Sequence, residues 1–241
     1  MARALADPAA PPEQPDRPRP PAAVGRRWTD LRSRVISALV LAPLALAALW
    51  LGGWPWIVLV GLGTVLLADE WRRLARLRPG LPFAAAGAVC IVPGMAALVW
   101  LRADPLAGRA DLLFLVTTVW GSDIGAYALG RLLGGRRLAP AISPGKTWSG
   151  AAGGLVCAML VGLAVAGFSP RAMAVAAGLS LVAQAGDLLE SAVKRYAGVK
   201  DSGTLIPGHG GLLDRLDGIL AAAPAAALLA LALGRGVTIW H

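Results

Sequence analysis

The sequence contains little charge, few aromatic residues and almost no cysteine. Only 15% of the 241 residues are Asp, Glu, Lys or Arg, whereas 56% are hydrophobic. A soluble globular domain carries about 25% charged residues, so this composition excludes an ordinary soluble fold. Cys90 and Cys157 lie inside apolar runs without CxxC spacing, which argues against a disulfide framework and a cysteine metal site. The chain is therefore predicted to be an integral membrane protein.

The apolar runs are continuous and rich in Ala, Leu and Gly, which indicates membrane helices. A β-barrel would instead show segments of about ten residues with alternating polarity. A helix needs roughly 20 residues to cross the hydrocarbon core of a bilayer. The sequence thus predicts an all-α polytopic membrane protein with about seven transmembrane helices. The predicted spans are Val35–Leu51, Trp54–Ala68, Leu81–Leu101, Leu112–Gly130, Gly150–Phe168, Ala172–Gly186 and Leu216–Leu233.

Residues 1–30 differ from the rest because they are rich in proline and arginine. Such a composition cannot bury a core, so we expect a disordered cytoplasmic tail. Residues 31–241 are expected to form a single transmembrane domain. No apolar signal sequence precedes Arg26, so the first span is expected to lead membrane insertion.

The distribution of Lys and Arg predicts the orientation in the membrane. With the N-terminus in the cytoplasm, 19 of the 23 Lys and Arg residues fall in cytoplasmic segments. Cytoplasmic loops retain an excess of these residues, so a cytoplasmic N-terminus in the inner membrane is expected. The net charge of +9 is then explained by these loops and by anionic lipid, and no nucleic-acid partner is expected.

Acidic residues and lysines concentrate near the C-terminal end. Five of the 14 carboxylates and two of only three lysines fall within residues 187–217, and the third lysine is Lys146. Lys and Arg differ in geometry and hydration, so lysines kept beside 20 arginines suggest specific roles. The stretch also contains three glycines around His209, which would let backbone N–H groups approach a phosphate.

Helical spacing brings these carboxylates together on two faces. Asp187, Glu190, Ser191 and Lys194 share one helix face, since residues three, four and seven positions apart are neighbours. Asp214 and Asp217, one turn apart, share a second face. Carboxylates converging from two helices beside cations are typical of a site for a hard divalent metal and the phosphates it bridges. The alternative is an amphipathic cytoplasmic loop stabilised only by salt bridges.

A second polar group lies in residues 120–150. Asp123 falls well inside a predicted span, where a charge costs roughly 2.5 to 3.5 kcal/mol, so a functional or packed role is favoured. Residues 145–147 read Gly-Lys-Thr, but a phosphate-binding P-loop would need glycine where Pro140 stands. We therefore exclude the P-loop interpretation.

The order of these residues closely resembles the signature of the phosphatidate cytidylyltransferases, also called CDP-diacylglycerol synthases. Residues 120–127 and 138–150 also look like a second block of that family, so the signature region covers 120–217. The resemblance extends from about Val99 to the C-terminus, with weaker similarity at 34–38 and at Glu70-Trp71. The matching pattern is Ser191-x2-Lys194-Arg195-x4-Lys200-Asp201-x-Gly203-x3-Pro207-x-His209-Gly210-Gly211-x2-Asp214-Arg215-x-Asp217.

The resemblance implies a metal-dependent enzyme with a cytoplasmic-facing active site, acting in phospholipid biosynthesis. Such an enzyme transfers the cytidylyl group of CTP to phosphatidate and gives CDP-diacylglycerol and pyrophosphate. Asp187, Asp214 and Asp217 are the expected metal ligands, and with Lys194 they form the expected catalytic set. Mg²⁺ is the expected ion; Mn²⁺ as a substitute, a second cation and a homodimer stay open. The expected substrate-binding residues are Lys146, Ser191, Lys200, His209, Arg215, Asp123 and Tyr127.

The sequence departs from the family pattern in three places. Family members often have about nine spans, whereas the link from Trp71 to Leu81 is too short for an extra helix pair. Ile124 and Ser149 stand where the family usually has a small hydroxyl residue and Glu or Gln, so no role is assigned to either. A related lipid nucleotidyltransferase, a polyprenol kinase and a membrane transporter remain the alternative functions.

Overall fold

The computed structural model describes residues 39–203, 205 and 210–241. Two short strands, β1 (Arg137–Ala139) and β2 (Ser143–Thr147), lie between α4 and α5. The predicted all-α fold is confirmed, with one hairpin added to it. The helices of the described residues are α1 (Leu39–Leu51), α2 (Gly53–Leu77), α3 (Leu81–Arg102), α4 (Gly108–Leu133), α5 (Trp148–Val165), α6 (Pro170–Tyr196) and α7 (Leu213–Leu233).

Six of these helices, α2 to α7, are long and apolar enough to cross a membrane. Each coincides with one predicted span. The remaining helix, α1, is shorter, and the span predicted for it begins at Val35, outside the described residues. The tail predicted over residues 1–30 also lies outside them. The tail and the single domain over residues 31–241 therefore stay predictions.

Two helices continue beyond their predicted membrane ends. Helix α2 runs on to Leu77 and α6 runs on to Tyr196. The predicted membrane spans end at Ala68 and Gly186 because the turns that follow are charged, and the helical spacing predicted for Asp187 to Lys194 agrees with the extension of α6. Glu70 and the first residues of the signature consequently stand on helices.

The break between α1 and α2 falls at Gly52 and Gly53, the two residues that separate the first two predicted spans. Gly52 and Gly53 have φ values of 66° and 53°, a backbone region that disfavours other residues. The guanidinium of Arg102 occupies the space beside Gly52. Its Nε donates to the Leu49 carbonyl at 2.6 Å and its Nη2 to the Trp50 carbonyl at 3.1 Å. Arg102 of α3 thereby binds the last carbonyls of α1, which have no partner within that helix.

The core forms where α7 packs against α3, α4 and α6. Ala222, Ala223 and Ala226 of α7 are fully buried, as are Phe114 and Leu115 of α4. Small residues at helix interfaces let backbones approach closely in a membrane. Helix α7 is thus surrounded by other helices along much of its length. Its N-terminal end follows the signature loop, which is the connection between α6 and α7 (residues 197–212).

Helices α4 and α5 approach closely through glycines. A Cβ on Gly150 would lie 2.8 Å from the Ala126 carbonyl, and one on Gly125 would lie 2.9 Å from the Gly153 carbonyl. Neither position can therefore hold a larger residue without moving the helices. This contact holds the C-terminal end of α4 next to the N-terminal end of α5, and the β1–β2 hairpin connects these two ends.

The β1–β2 hairpin was not predicted from the sequence. Its strands are antiparallel, with Arg137 opposite Thr147 and Ala139 opposite Ser143. The Thr147 hydroxyl accepts a hydrogen bond from the Gly150 N–H at 3.0 Å and so caps the N-terminus of α5. Lys146 is consequently held on a strand immediately before a capped helix.

Candidate active site

Three carboxylates of α6 and α7 meet at one end of the helix bundle. One oxygen each of Asp187, Glu190 and Asp217 lies within 4.8 Å of the other two. The preceding residue, Gly186, allows this approach because a Cβ there would overlap Ala221 of α7. Carboxylate oxygens at this spacing are suited to a hard divalent cation. The predicted convergence of two helices is therefore present, with Glu190 as the third carboxylate.

Lys146 joins this acidic cluster from the hairpin. Its Nζ forms an ion pair with Asp187 Oδ2. Asp123 of α4 interacts electrostatically with both of these residues, and Asp217 interacts with Asp123 and Asp187. The hairpin and helices α4, α6 and α7 thus contribute charged groups to one site.

Lys194 is buried between α6 and α7. Its Nζ lies 2.5 Å from Glu190 Oε2 and 2.7 Å from Asp214 Oδ1. Apart from that ion pair, neither carboxylate oxygen of Glu190 has a hydrogen-bond partner among the described residues. The pairing is a cross-link between two helices and not an exposed salt bridge of an amphipathic loop.

The carboxylate of Asp214 accepts hydrogen bonds from backbone N–H groups and from Lys194. Its Oδ2 accepts hydrogen bonds from the Gly211 N–H at 2.9 Å and the Ser202 N–H at 3.1 Å. Its Oδ1 faces Lys194. Asp214 is not part of the three-carboxylate cluster, so its role as a metal ligand stays a prediction.

Glu70 of α2 was not assigned a role from the sequence, yet it contacts the signature loop. Its Oε1 accepts from the Leu212 N–H at 2.8 Å, and its Oε2 accepts from the Leu213 N–H at 2.9 Å. The Ser202 hydroxyl donates to the same Oε2 at 3.2 Å. The signal that could have identified it is the weak family similarity at Glu70-Trp71, close to the end of the predicted span at Ala68.

The other predicted phosphate-binding residues differ in exposure. Lys200 is exposed and makes no ion pair with the part of the chain that the structure describes. Arg215 is also exposed, whereas Ser191 is buried beside the acidic cluster on α6. His209 lies outside the described residues, so its predicted contact with substrate stays a prediction.

An exposed polar face runs along α4. Asp123, Tyr127 and Arg131 follow one another at four-residue spacing, which places them on one side of a helix. The Arg131 Nη1 donates to the Tyr127 hydroxyl at 3.1 Å. This face leads from the acidic cluster to the end of α4.

On its buried side, α4 is joined to α5 and α6 by a polar network. The Ser122 and Ser180 hydroxyls lie 2.8 Å apart. The Gln184 side chain donates to Ser180 Oγ at 3.1 Å and to the Ala151 carbonyl at 3.3 Å. These bonds fix the helices that present Asp123 and Asp187.

The hairpin is held in place by two residues without a predicted role. Arg195 of α6 donates through Nε to the Ile142 carbonyl at 3.1 Å and through Nη1 to the Val199 carbonyl at 2.9 Å. Ser149 donates to the Gly134 carbonyl at the start of the hairpin. Ile124, the other departure from the family pattern, is exposed on α4 and has no role that the structure explains.

Comparison with known proteins shows that the chain is similar to cytidylyltransferases. The sequence profile of the cytidylyltransferase family matches residues 81–233. The phosphatidate cytidylyltransferase of Brucella suis is 36% identical over 252 residues, covering 81% of this chain and 91% of that protein. The protein of the same name from Pseudomonas aeruginosa is 34% identical, covering 86% of this chain and 99% of its own length. A third, from Staphylococcus saprophyticus, is 45% identical over 123 residues, about half of each chain.

Proposed function

The chain belongs to the cytidylyltransferase family, and we propose that it transfers the cytidylyl group of CTP to phosphatidate. The products are CDP-diacylglycerol and pyrophosphate. One observation supports this function above all: Asp187, Glu190 and Asp217 face each other beside Lys146 at one end of a membrane bundle. A polar nucleotide and a lipid phosphate can both reach such a site, one from water and one from the bilayer.

The reaction exchanges one phosphate linkage for another. An oxygen of the phosphatidate phosphate attacks the α-phosphorus of CTP, and the bond from that phosphorus to the bridging oxygen of the β-phosphate breaks. The electron pair leaves with pyrophosphate. A phosphate monoester near pH 7 already carries a nucleophilic oxyanion, so the site needs no general base. Its main tasks are to offset repulsion between two anions and to hold them in line.

Cationic side chains of the chain meet the first of these tasks. Lys146 stands at the acidic cluster, and Lys200 and Arg215 are exposed near the signature loop. Ammonium and guanidinium groups form strong hydrogen bonds with phosphate oxygens. We assign these three residues to the phosphates of the substrates, and His209 to the nucleotide or its phosphates.

A divalent cation fits the three-carboxylate cluster. The donors are hard oxygens, and Glu190 has no hydrogen-bond partner besides Lys194 among the described residues. Asp187, Glu190 and Asp217 would hold the ion, which we propose to be Mg²⁺, with Mn²⁺ as a substitute. When bound, such an ion supplies positive charge that stabilises the charge developing on transferring phosphoryl groups.

Asp214 and Lys194 hold the ends of α6 and α7 in position at the site. Lys194 offsets the negative charge of Glu190 and Asp214 while linking α6 to α7. Asp214 in turn binds the backbone of the loop that precedes it. Ser191, buried one residue after Glu190, is assigned to the lining of the same site.

The lipid substrate is assigned to the exposed polar face of α4. Tyr127 and Arg131 are hydrogen-bonded to each other on that face, and Asp123 lies where it meets the acidic cluster. A phosphate headgroup can be bound by Arg131 while its acyl chains stay in lipid. The cytoplasmic side of the inner membrane is proposed for this end, because most Lys and Arg residues flank it.

The deciding experiment uses purified protein in phosphatidate-containing vesicles and CTP labelled at either the α- or the γ-phosphate. Cytidylyl transfer makes the α-label soluble in chloroform and leaves the γ-label in water as pyrophosphate. A lipid kinase would give the opposite result, and a transporter would give no labelled lipid. Replacing phosphatidate with a polyprenol or another phospholipid tests the lipid class in the same assay.

A further inference from the structure

Glu70 is a charged residue outside the signature that is nevertheless enclosed by it. Only 4% of its surface is exposed. A Cβ on Gly203 would lie 3.1 Å from Glu70 Oε1, and one on Gly211 would lie 2.7 Å from Glu70 Oε2 and overlap the Ser202 hydroxyl. Gly203 and Gly211 are thus closely packed against this carboxylate, and at Gly211 a larger residue would displace it.

The carboxylate of Glu70 serves as the cap of α7. The N–H groups at the start of a helix have no partner within the helix, and the helix dipole favours a negative charge there. Glu70 accepts from the Leu212 and Leu213 N–H groups. A helix start of this kind would otherwise attract a phosphate, so substrate phosphates must be bound by other groups.

Ser202 connects Glu70 to Asp214. Its hydroxyl donates to Glu70, while its N–H lies 3.1 Å and 3.2 Å from the two carboxylate oxygens of Asp214. Asp214 stands in the first turn of the helix that Glu70 caps. A shift of Glu70 would therefore displace Asp214 by two routes and disturb its 2.7 Å contact with Lys194.

We propose that Glu70 is a positioning residue for nucleotide binding in the cytidylyl transfer. Through Ser202 and the first turn of α7, it holds Ser202, Gly211 and Asp214 in the arrangement that supports CTP binding. The inference rests on the proposed function. It concerns the CTP side because Ser202 and Gly211 lie between the polar ends of α6 and α7, whereas phosphatidate is held in the bilayer by its acyl chains.

The test compares Glu70→Gln with Asp69→Asn in the full-length protein, purified in phosphatidate-containing vesicles. Both changes remove one negative charge, but among the described residues Asp69 forms ion pairs only with Arg72 and Arg73 of its own helix. In Glu70→Gln an amide NH₂ takes the place of one carboxylate oxygen, so that two donors, the NH₂ and a backbone N–H, face each other. We expect the KM for CTP to rise at least about tenfold, since a buried group loses a charged partner. The KM for phosphatidate and both constants of Asp69→Asn should change less than about twofold.

Ser202→Ala provides a second variant that removes a single hydroxyl. It should also raise the KM for CTP, and its effect should not add to that of Glu70→Gln, because the two residues act through one contact. Loss of folded protein alone would lower the rate per milligram without a selective change in one KM. Amide hydrogen exchange of residues 210–216 should become faster in Glu70→Gln and stay unchanged in Asp69→Asn.

Unchanged KM for CTP in folded Glu70→Gln and Ser202→Ala overturns the positioning role, as does an equal rise in Asp69→Asn. Equal increases in the KM of both substrates overturn the assignment to the nucleotide side. A wild-type protein that forms no labelled lipid overturns the proposed function and the inference with it. Hydrogen exchange then still reports the contact between Glu70 and the loop by itself.

Discussion

Lys194 of α6 and Asp214 of α7 form a nearly buried ion pair, with 2.7 Å between Nζ and Oδ1 and 11% of the lysine side chain exposed. The same Nζ lies 2.5 Å from Glu190. Breaking a buried pair on one side leaves an uncompensated charge, which is strongly destabilising. The contact therefore makes the geometry of the acidic cluster sensitive to the shape of a single cation.

Lys194→Arg tests that sensitivity. The charge is retained, but a planar guanidinium is larger than an ammonium and needs its donors in a fixed arrangement. We expect the kcat for label transfer to fall at least about tenfold, by analogy with the loss of a buried charged hydrogen bond. Arg171→Lys is the control, since Arg171 is exposed at the opposite end of the same helix and should tolerate the exchange of one cation for the other. Wild-type kinetics in Lys194→Arg would favour the alternative of an ordinary surface salt bridge.

Gly186→Ala tests whether the close approach of α6 and α7 assembles the cluster. The added Cβ would overlap Ala221 and lie 3.1 Å from the Asp217 carbonyl, so the helices must separate beside Asp187. Turnover should fall and the Mg²⁺ concentration for half-maximal rate should rise. Gly178→Ala lies on the same helix with nothing within 4 Å of its Cβ and should retain both values. Equal behaviour of the two variants would contradict this role of Gly186.

Removal of divalent ions should abolish turnover reversibly. The cluster consists of carboxylates, which favour hard ions. After chelation and dialysis, Mg²⁺ should restore the formation of labelled lipid, and Mn²⁺ should restore it at least in part. Full activity after exhaustive chelation would refute the metal assignment without affecting the assignment of the reaction.

Neutral variants of the carboxylates separate metal ligands from positioning groups. Asp217→Asn and Glu190→Gln should raise the Mg²⁺ requirement, because each removes an oxygen of the cluster. Asp214→Asn should reduce turnover by more than roughly 100-fold, the scale expected when charge stabilisation at a phosphoryl centre is lost. If Asp214 acts through Lys194 and the loop, saturating Mg²⁺ does not restore activity and the Mg²⁺ requirement is unchanged. A raised requirement would instead support the ligand role that the sequence predicted.

Accessibility of single cysteines tests the proposed orientation. In a chain lacking Cys90 and Cys157, cysteines at the exposed positions Ala141 and Asp201 should resist an impermeant thiol reagent in intact cells. Both should react in inside-out vesicles. Leu106, 80% exposed between α3 and α4 at the opposite end, should show the reverse pattern when replaced by cysteine. Labelling of Ala141→Cys from outside would contradict the orientation.

Much of the fold could be predicted because a bilayer imposes long apolar helices. The six predicted spans after the first each coincide with a described helix, since an interrupted run would leave backbone groups unpaired in lipid. The helix ends were less predictable. The last turns of α2 and α6 contain Arg, Asp, Glu and Lys, and a charged helix beyond the membrane cannot be told from a loop by hydropathy.

The candidate site was predictable where its residues are close in sequence. Asp187, Glu190 and Lys194 follow helical spacing, and one turn separates Asp214 from Asp217. The sequence could not predict that Asp217 joins the carboxylate cluster whereas Asp214 pairs with Lys194, because this depends on which side of α7 faces α6. The hairpin was missed because strands of three and five residues containing Pro144 and Gly145 show no periodicity.

The contact between Glu70 and α7 has a consequence for synthesis of the protein. Its backbone partners lie 142 and 143 residues later in the chain, and its remaining partner, Ser202, is almost as distant. Helix α2 therefore leaves the ribosome and enters the bilayer long before any of these groups exists. Until α7 is made, the carboxylate of Glu70 lacks the two backbone donors that hold it in the folded protein. A chain that stops before Leu212 never gains these two donors, even when all of its earlier helices are in the bilayer.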